Sequence, residues 1–230
     1  MKKIKGIVFD FNGTLFFDSD LHIKAFKRIF PELGVPEPTR EYVIGSILGR
    51  SNATIYRENI NSDASDAETA EFAVKKEEIY FDLCLENKER FKLADGATEL
   101  LDYLKAENIP FTIATGSDKM SVDFFFEHLE LSKWFDIDKI VYTDGTFKGK
   151  PAPDCYMLAA ERLGIKSTEC LIFEDGTSGI MSANAANAAG VVAVYDKGLP
   201  DPLCEGLWAD LVVHSFKDWK DILSRYEIVR

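Results

Sequence analysis

Four short stretches of this 230-residue chain carry residue types that could do chemistry on an anion. Asp10 stands in GIVFDFNGTL with Asn12, Gly13 and Thr14 just behind it; Thr115, Gly116 and Ser117 follow FTIA; Lys150 lies in KGKPAPD; Glu174 and Asp175 close LIFED. A carboxylate is a nucleophile or a metal ligand, a lysine is a point cation, and hydroxyl and glycine N–H groups hold anionic oxygens. Taken singly, each has an ordinary explanation: a helix cap, a turn, a solvated loop lysine. Each, however, sits after an apolar strand or ahead of a helix, so the ordinary explanation would have to hold four times. One shared site is the simpler reading.

Such a site needs elements that bring separated segments together. Strand-type runs cover Ile4 to Asp10, Phe111 to Thr115, Lys139 to Val141, Cys170 to Phe173, Val191 to Tyr195 and Leu211 to Val213. Between most of them lies helical spacing, as in Ala97, Leu100, Leu101, Leu104 and in Met157, Leu158, Ala160, Leu163. The alternation predicts an α/β chain with a mainly parallel sheet, helices on both faces and the ligand crevice at the carboxyl ends of the strands.

From Phe16 to about Leu93 the pattern is different: DSDLHIKAFKRIF, REYVIGSILGR and AEFAVKKEEIYFDLCLENKERF read as helices with no strand among them. They predict a helical module inserted after the first strand. Asp95 is expected to cap the helix that resumes the core, residues 62–68 (SDASDAE) read as a loop or the polar start of a helix, and Phe124 to Phe126 read as helix core.

The 27 basic and 39 acidic residues leave a net charge of -12, which disfavours nucleic acid and anionic membranes as partners. No apolar run approaches the ~20 residues of a membrane span, and the first residues lack the apolar stretch of a signal peptide, so a soluble cytoplasmic protein is expected. Cys84, Cys155, Cys170 and Cys204 form no C-x-x-C pair and are expected to be small buried apolar groups.

The four stretches resemble, in order, the motifs of the haloacid dehalogenase superfamily of aspartate-nucleophile phosphotransferases. DFNGTL is similar to its D-x-D-G-T motif, TIATGS to its second, KGKPAPD to its lysine motif and FEDGTSGI to its acidic motif. The subgroup resembled, which includes β-phosphoglucomutase and small phosphatases, carries a helical cap after the first strand. The resemblance implies a Rossmann-like core over residues 1–15 and 95–230 with an all-helical cap over 16–94. It further implies a phosphohydrolase of small phosphorylated metabolites, sugar phosphates among them, working as a monomer or weak dimer through an aspartyl phosphate on Asp10. Mg2+ would be held by Asp10, the Asn12 backbone carbonyl and Asp175, with Glu174 close by; Thr115, Gly116 and Lys150 would hold the phosphoryl oxygens.

Asn12 departs from the pattern. The family residue there also carries a carboxyl that gives a proton to the leaving oxygen and later activates water, and an amide has no proton to exchange. Loss of acid-base help typically costs ~10²- to 10⁴-fold, so slow turnover of alkyl phosphates is expected. In the cap, DSDLH resembles the family's approach to that domain and makes His22 a candidate proton donor or substrate contact. Lys76 resembles the cap lysine of sugar phosphomutases, whereas GRSN moves Arg50 two places from the position at which their arginine clamps a second phosphate. A phosphomutase, a phosphonoacetaldehyde hydrolase-like enzyme and a non-catalytic binder of phosphometabolites or proteins are the alternatives. The Glu174-Asp175 pair counts against true dehalogenase chemistry.

Overall fold

A computed structural model of the chain describes residues 1–196, 199 and 206–229. It divides into two compact units, Met1–Phe17 with Leu93–Arg230, and Asp18–Lys92.

The first unit is built on strands β1 (Lys2–Ile4), β2 (Gly6–Phe9), β3 (Phe111–Ile113), β4 (Cys170–Glu174), β5 (Gly190–Val194), β6 (Leu211–Val213) and β7 (Tyr226–Ile228). Five of them form a parallel sheet in the order β3-β2-β4-β5-β6. Every residue of β2, β4 and β5 is buried, as expected of central parallel strands covered on both faces. On one face Val8, Ile172, Val191 and Ala193 pack with Cys155, Tyr156, Ala159 and Ala160 of α7 (Asp154–Arg162) and with Ile180 and Ala183 of α8 (Thr177–Ala185). The alternate residues Phe9 and Phe173 stack with ring centroids 5.0 Å apart and both meet Phe216. The chain leaves β2 for β3 on one side and reaches β4 on the other, so the carboxyl ends of β2 and β4 flank the crevice of the sheet.

The second unit holds α1 (Ser19–Glu32), α2 (Arg40–Ser46), α3 (Asn52–Asn59) and α4 (Asp66–Glu86). Ile23, Phe26, Ile29 and Phe30 of α1, at helical spacing, close a core with Val43, Ile47, Ile55 and Phe72. The remaining helices of the first unit are α5 (Ala97–Ala106), α6 (Lys119–His128) and α9 (Trp219–Leu223). No helix among the described residues is long and apolar enough to cross a membrane.

Several local expectations are corrected. The first strand is interrupted at Lys5, whose N–H turns to Glu169 O (2.8 Å), and the piece before it pairs with β7 in a separate two-stranded sheet. Lys139 to Val141 is not a strand: residues Ile137–Lys139 form a 3-10 turn, and Val141 makes only an isolated bridge with Ala114. Gly96, at φ +85°, precedes α5 in place of Asp95, which pairs with Lys217. Met157 is 52% exposed, so the buried stripe of α7 runs through Cys155, Tyr156, Ala159 and Ala160. Of the three phenylalanines in α6 only Phe125 is buried. The polar residues 62–68 span the start of α4, where Ser65 and Glu68 form a reciprocal capping box. Cys84, Cys155 and Cys170 are buried free thiols, while Cys204 lies outside the described residues.

Candidate active site

Asp10 directly follows β2, and its N–H bonds to Phe173 O (2.9 Å), so the main-chain ladder fixes where the carboxylate emerges. The chain then closes a tight turn in which Gly13 N donates to Phe16 O and Phe16 N to Phe11 O, at 2.7 and 3.0 Å. Gly13 has φ +82°, and a Cβ there would lie 2.0 Å from Asp175 Oδ2. Only glycine both adopts this turn and leaves room for the neighbouring carboxylate.

Glu174 ends β4 and Asp175 follows it. The Lys150 ammonium lies between Asp10 Oδ1 and Glu174 Oε1, 2.6 Å from each. All three side chains are buried: Lys150 is 10% exposed, Asp10 8% and Glu174 3%. Burial disfavours the Lys150 charge, but the two carboxylates outweigh it and hold the lysine well above its ordinary range. Burial also pushes Asp10 up, to about 7, with Glu174 adding and Lys150 opposing. Glu174 is firmly held, since Oε1 also accepts from the Tyr156 hydroxyl (3.2 Å) and Oε2 from Gly176 N (2.6 Å). The Asp175 carboxylate accepts from the Thr14 hydroxyl at 3.2 Å.

Ligand oxygens of Asp10, Glu174 and Asp175 lie within 4.8 Å of one another. Three hard oxygens at this spacing suit a divalent cation such as Mg2+, whose charge they would complement. Beside them Thr115 N bonds to Val141 O (2.9 Å), and the Thr115 hydroxyl accepts from Ser117 N (3.1 Å). Gly116 O accepts from the Thr143 hydroxyl at 3.0 Å. The Ser117 hydroxyl donates to Asn12 Oδ1 at 2.8 Å. The first unit therefore brings Asp10, Glu174, Asp175 and Lys150 into one cluster and joins Asn12 to the segment 115–117.

The other expected residues belong to the second unit. Lys76, only 3% exposed, lies 2.9 Å from both His22 Nδ1 and Glu77 Oε1. Because an ammonium only donates, Nδ1 accepts from it; Nε2 lies 3.3 Å from Asp18 Oδ2. The His22 ring also stacks on Tyr80, centroids 4.0 Å apart. Arg50 forks onto both oxygens of Glu58 at 2.6 Å on the exposed side of its unit, apart from His22 and Lys76 in its contacts.

The sequence assigns no role to Tyr156 or Gly179, and names Ser117 only as part of the 115–117 stretch. Tyr156 is a buried tyrosine on an alanine-rich helix face, and Ser117 carries no signal apart from its motif. Gly179, inside α8, would place a Cβ 1.5 Å from Glu174 Oε1, and a glycine within a helical stretch is the one clue to that contact.

A parallel-sheet core with a strand-end carboxylate, a buried lysine and an acidic pair at one crevice is the arrangement of a hydrolase with an α/β core. The haloacid dehalogenase-like hydrolase model matches residues 7–194, and the chain belongs to that family. It is 30% identical over 203 residues to Protein CbbY of Rhodobacter capsulatus, covering 85% of this chain and 88% of the relative. A phosphorylated carbohydrates phosphatase of Thermotoga maritima is 26% identical over 96% of this chain and 91% of its own. A crystal structure of a family IA, variant 3 hydrolase from Entamoeba histolytica superposes with TM-score 0.83 at 38% identity, covering 94% of this chain and 95% of that one.

Proposed function

We propose that this hydrolase removes phosphate from a small phosphorylated metabolite, a sugar phosphate among the candidates, with Mg2+ as its cation and Asp10 as nucleophile. The observation that carries the reading is the Lys150 ammonium bridging Asp10 and Glu174 at 2.6 Å beside Asp175. The phosphatases among the relatives support the substrate class.

In this reading Asp10 attacks phosphorus as the P–O bond to the leaving oxygen breaks, the oxygen departing with the electron pair and taking a proton from solvent; water then attacks the aspartyl phosphate, releasing phosphate and regenerating the carboxylate. Lys150 offsets charge on both anions, and the Thr115 hydroxyl with Gly116 N–H holds phosphoryl oxygens. Bound Mg2+ would neutralise charge on the approaching anions, with Asp10, Asp175 and the Asn12 carbonyl as ligands. Glu174, already accepting from Lys150, Tyr156 and Gly176, keeps the lysine in place. Substrate recognition falls to the helical unit, with His22 and Lys76 as its recognition pair; Arg50 would contribute only on leaving Glu58.

The test is metal-dependent phosphate release across a panel of sugar phosphates. Asp10→Ala and chelation of divalent metal are each expected to abolish it. Full activity in either case would sink the assignment, and isomerised substrate forming faster than phosphate would replace it with a mutase.

A further inference from the structure

The Thr115 hydroxyl does not set its own orientation. Beyond the end of β3 the segment 141–143 runs beside 115–117 and is bonded to it along its length. Thr115 N donates to Val141 O (2.9 Å), Thr143 N to Ser117 O (2.8 Å) and the Thr143 hydroxyl to Gly116 O (3.0 Å). The peptide between Gly116 and Ser117 is therefore gripped at both edges: its C=O by the Thr143 hydroxyl, its N–H by the Thr115 oxygen at 3.1 Å. A hydroxyl carries one hydrogen and two lone pairs. Because Ser117 N–H occupies a lone pair of Thr115, the hydroxyl hydrogen turns away from that peptide. Thr115 is only 3% exposed, yet among the described residues no acceptor takes this hydrogen.

We infer that Thr143 is a positioning residue for phosphoryl binding, acting through the Gly116–Ser117 peptide to hold the Thr115 hydroxyl as a donor. This rests on the phosphohydrolase reading above, in which that hydroxyl meets a phosphoryl oxygen. The groups form one chain, from Thr143 O–H to Gly116 C=O, from Ser117 N–H to the Thr115 oxygen, and from Thr115 O–H to the anion. Each bond in such a chain polarises the next: a donor on the carbonyl strengthens the N–H, and an oxygen that accepts firmly donates better. Without the Thr143 hydroxyl the peptide tilts, and the Thr115 oxygen presents a lone pair to the anion instead of a hydrogen. Thr143 itself touches no substrate. It shares no hydrogen bond with Asp10, Lys150, Glu174 or Asp175, so its influence is confined to the anion-holding side of the site.

The experiment follows hydrolysis of 4-nitrophenyl phosphate with Mg2+, using orthophosphate as inhibitor, in wild type, Thr143→Val and Thr143→Ser. Valine keeps the main-chain bond to Ser117 O and removes only the hydroxyl; serine keeps both. In Thr143→Val, KM and the orthophosphate Ki are expected to rise about three- to tenfold, the worth of one hydrogen bond. Since the contact is made in ground and transition state alike, kcat should stay within about twofold. The Mg2+ concentration at half-maximal rate should not move, and Thr143→Ser should restore wild-type values. In a Thr115→Val background, where the acting hydroxyl is already gone, calorimetric titration with orthophosphate and Mg2+ should show no further loss on adding Thr143→Val. An unchanged Ki in Thr143→Val, a Mg2+ requirement that shifts along with it, no rescue by serine, or a full further loss in the Thr115→Val background each overturns the inference and leaves the hydrolase reading intact. No metal-dependent phosphate release by wild type overturns both.

Discussion

At the scale of single residues, the site is a compromise between reactivity and stability. As the proposed nucleophile Asp10 has to be charged, yet burial raises it from 3.8 to about 7. An unfolded chain ionises near the lower value, so the folded state bears no penalty below pH 4, a growing one between 4 and 7, and the whole of it above 7. Asp10→Asn removes the penalty. The substitution also takes one of its two carboxylates from Lys150, so the expectation concerns the trend: in a chelator, the melting temperature of the variant relative to wild type should rise from pH 5 to pH 8. Thermal melts at both pH values in a chelator check the sign, and an advantage larger at pH 5 would refute it. Asp10, Lys150, Glu174 and Asp175 are legible in the sequence because each ends a strand run or precedes a helix. Tyr156 is not, since nothing in its own segment distinguishes it from any buried tyrosine on a helix face until its hydroxyl meets Glu174.

At the scale of elements, β2, β4 and α8 do the positioning. Gly179 lets α8 pass so close to Glu174 that a methyl group has no space: a Cβ would fall 1.5 Å from Oε1 and 1.9 Å from the carboxyl carbon. Glu174 is pinned by Lys150, Tyr156 and Gly176 and cannot yield without releasing the lysine. Gly179→Ala is therefore expected to cost about 1–3 kcal/mol of stability, as overpacking does, and at least ~10-fold in kcat. Denaturant melts and phosphate-release assays test this, and an unchanged kcat would show that Glu174 does not need its present position. The central strands are readable from their continuous apolar runs. The break at Lys5 is not, because Ile4 and Ile7 read as one run across Lys5 and Gly6 and only the pairing of β1 with β7 reveals it. α3 is likewise hard to read, since NATIYREN places just one buried residue, Ile55, on the core of its unit.

At the scale of the whole molecule, two units each carry their own buried ionic group. In residues 18–92 the pair Lys76–Glu77 is nearly inaccessible, and Asn52 donates to the same Glu77 oxygen at 3.1 Å. Burial alone would raise Glu77, but Lys76 foremost holds its carboxyl below the ordinary range. Lys76→Met leaves that carboxylate without its cation, a change that costs about 3–5 kcal/mol in buried pairs. Amide exchange should then accelerate in α1, α3 and α4 while β2, β4 and β5 keep their protection, and equal acceleration everywhere would show that the two units unfold as one.

The ladder beneath the candidate site has one more consequence. Phe9 and Phe173 are register partners, and each is followed at once by an acid, Asp10 and Glu174. The separation of those acids is thus measured out by amide bonds between adjacent strands, whose spacing is about 4.7–4.9 Å in any sheet. Peptide geometry, common to all sequences, serves as the ruler, and the apolar side chains only keep it from bending. Drift that swaps one hydrophobe for another in the interior can therefore run far before the chemistry loses its alignment.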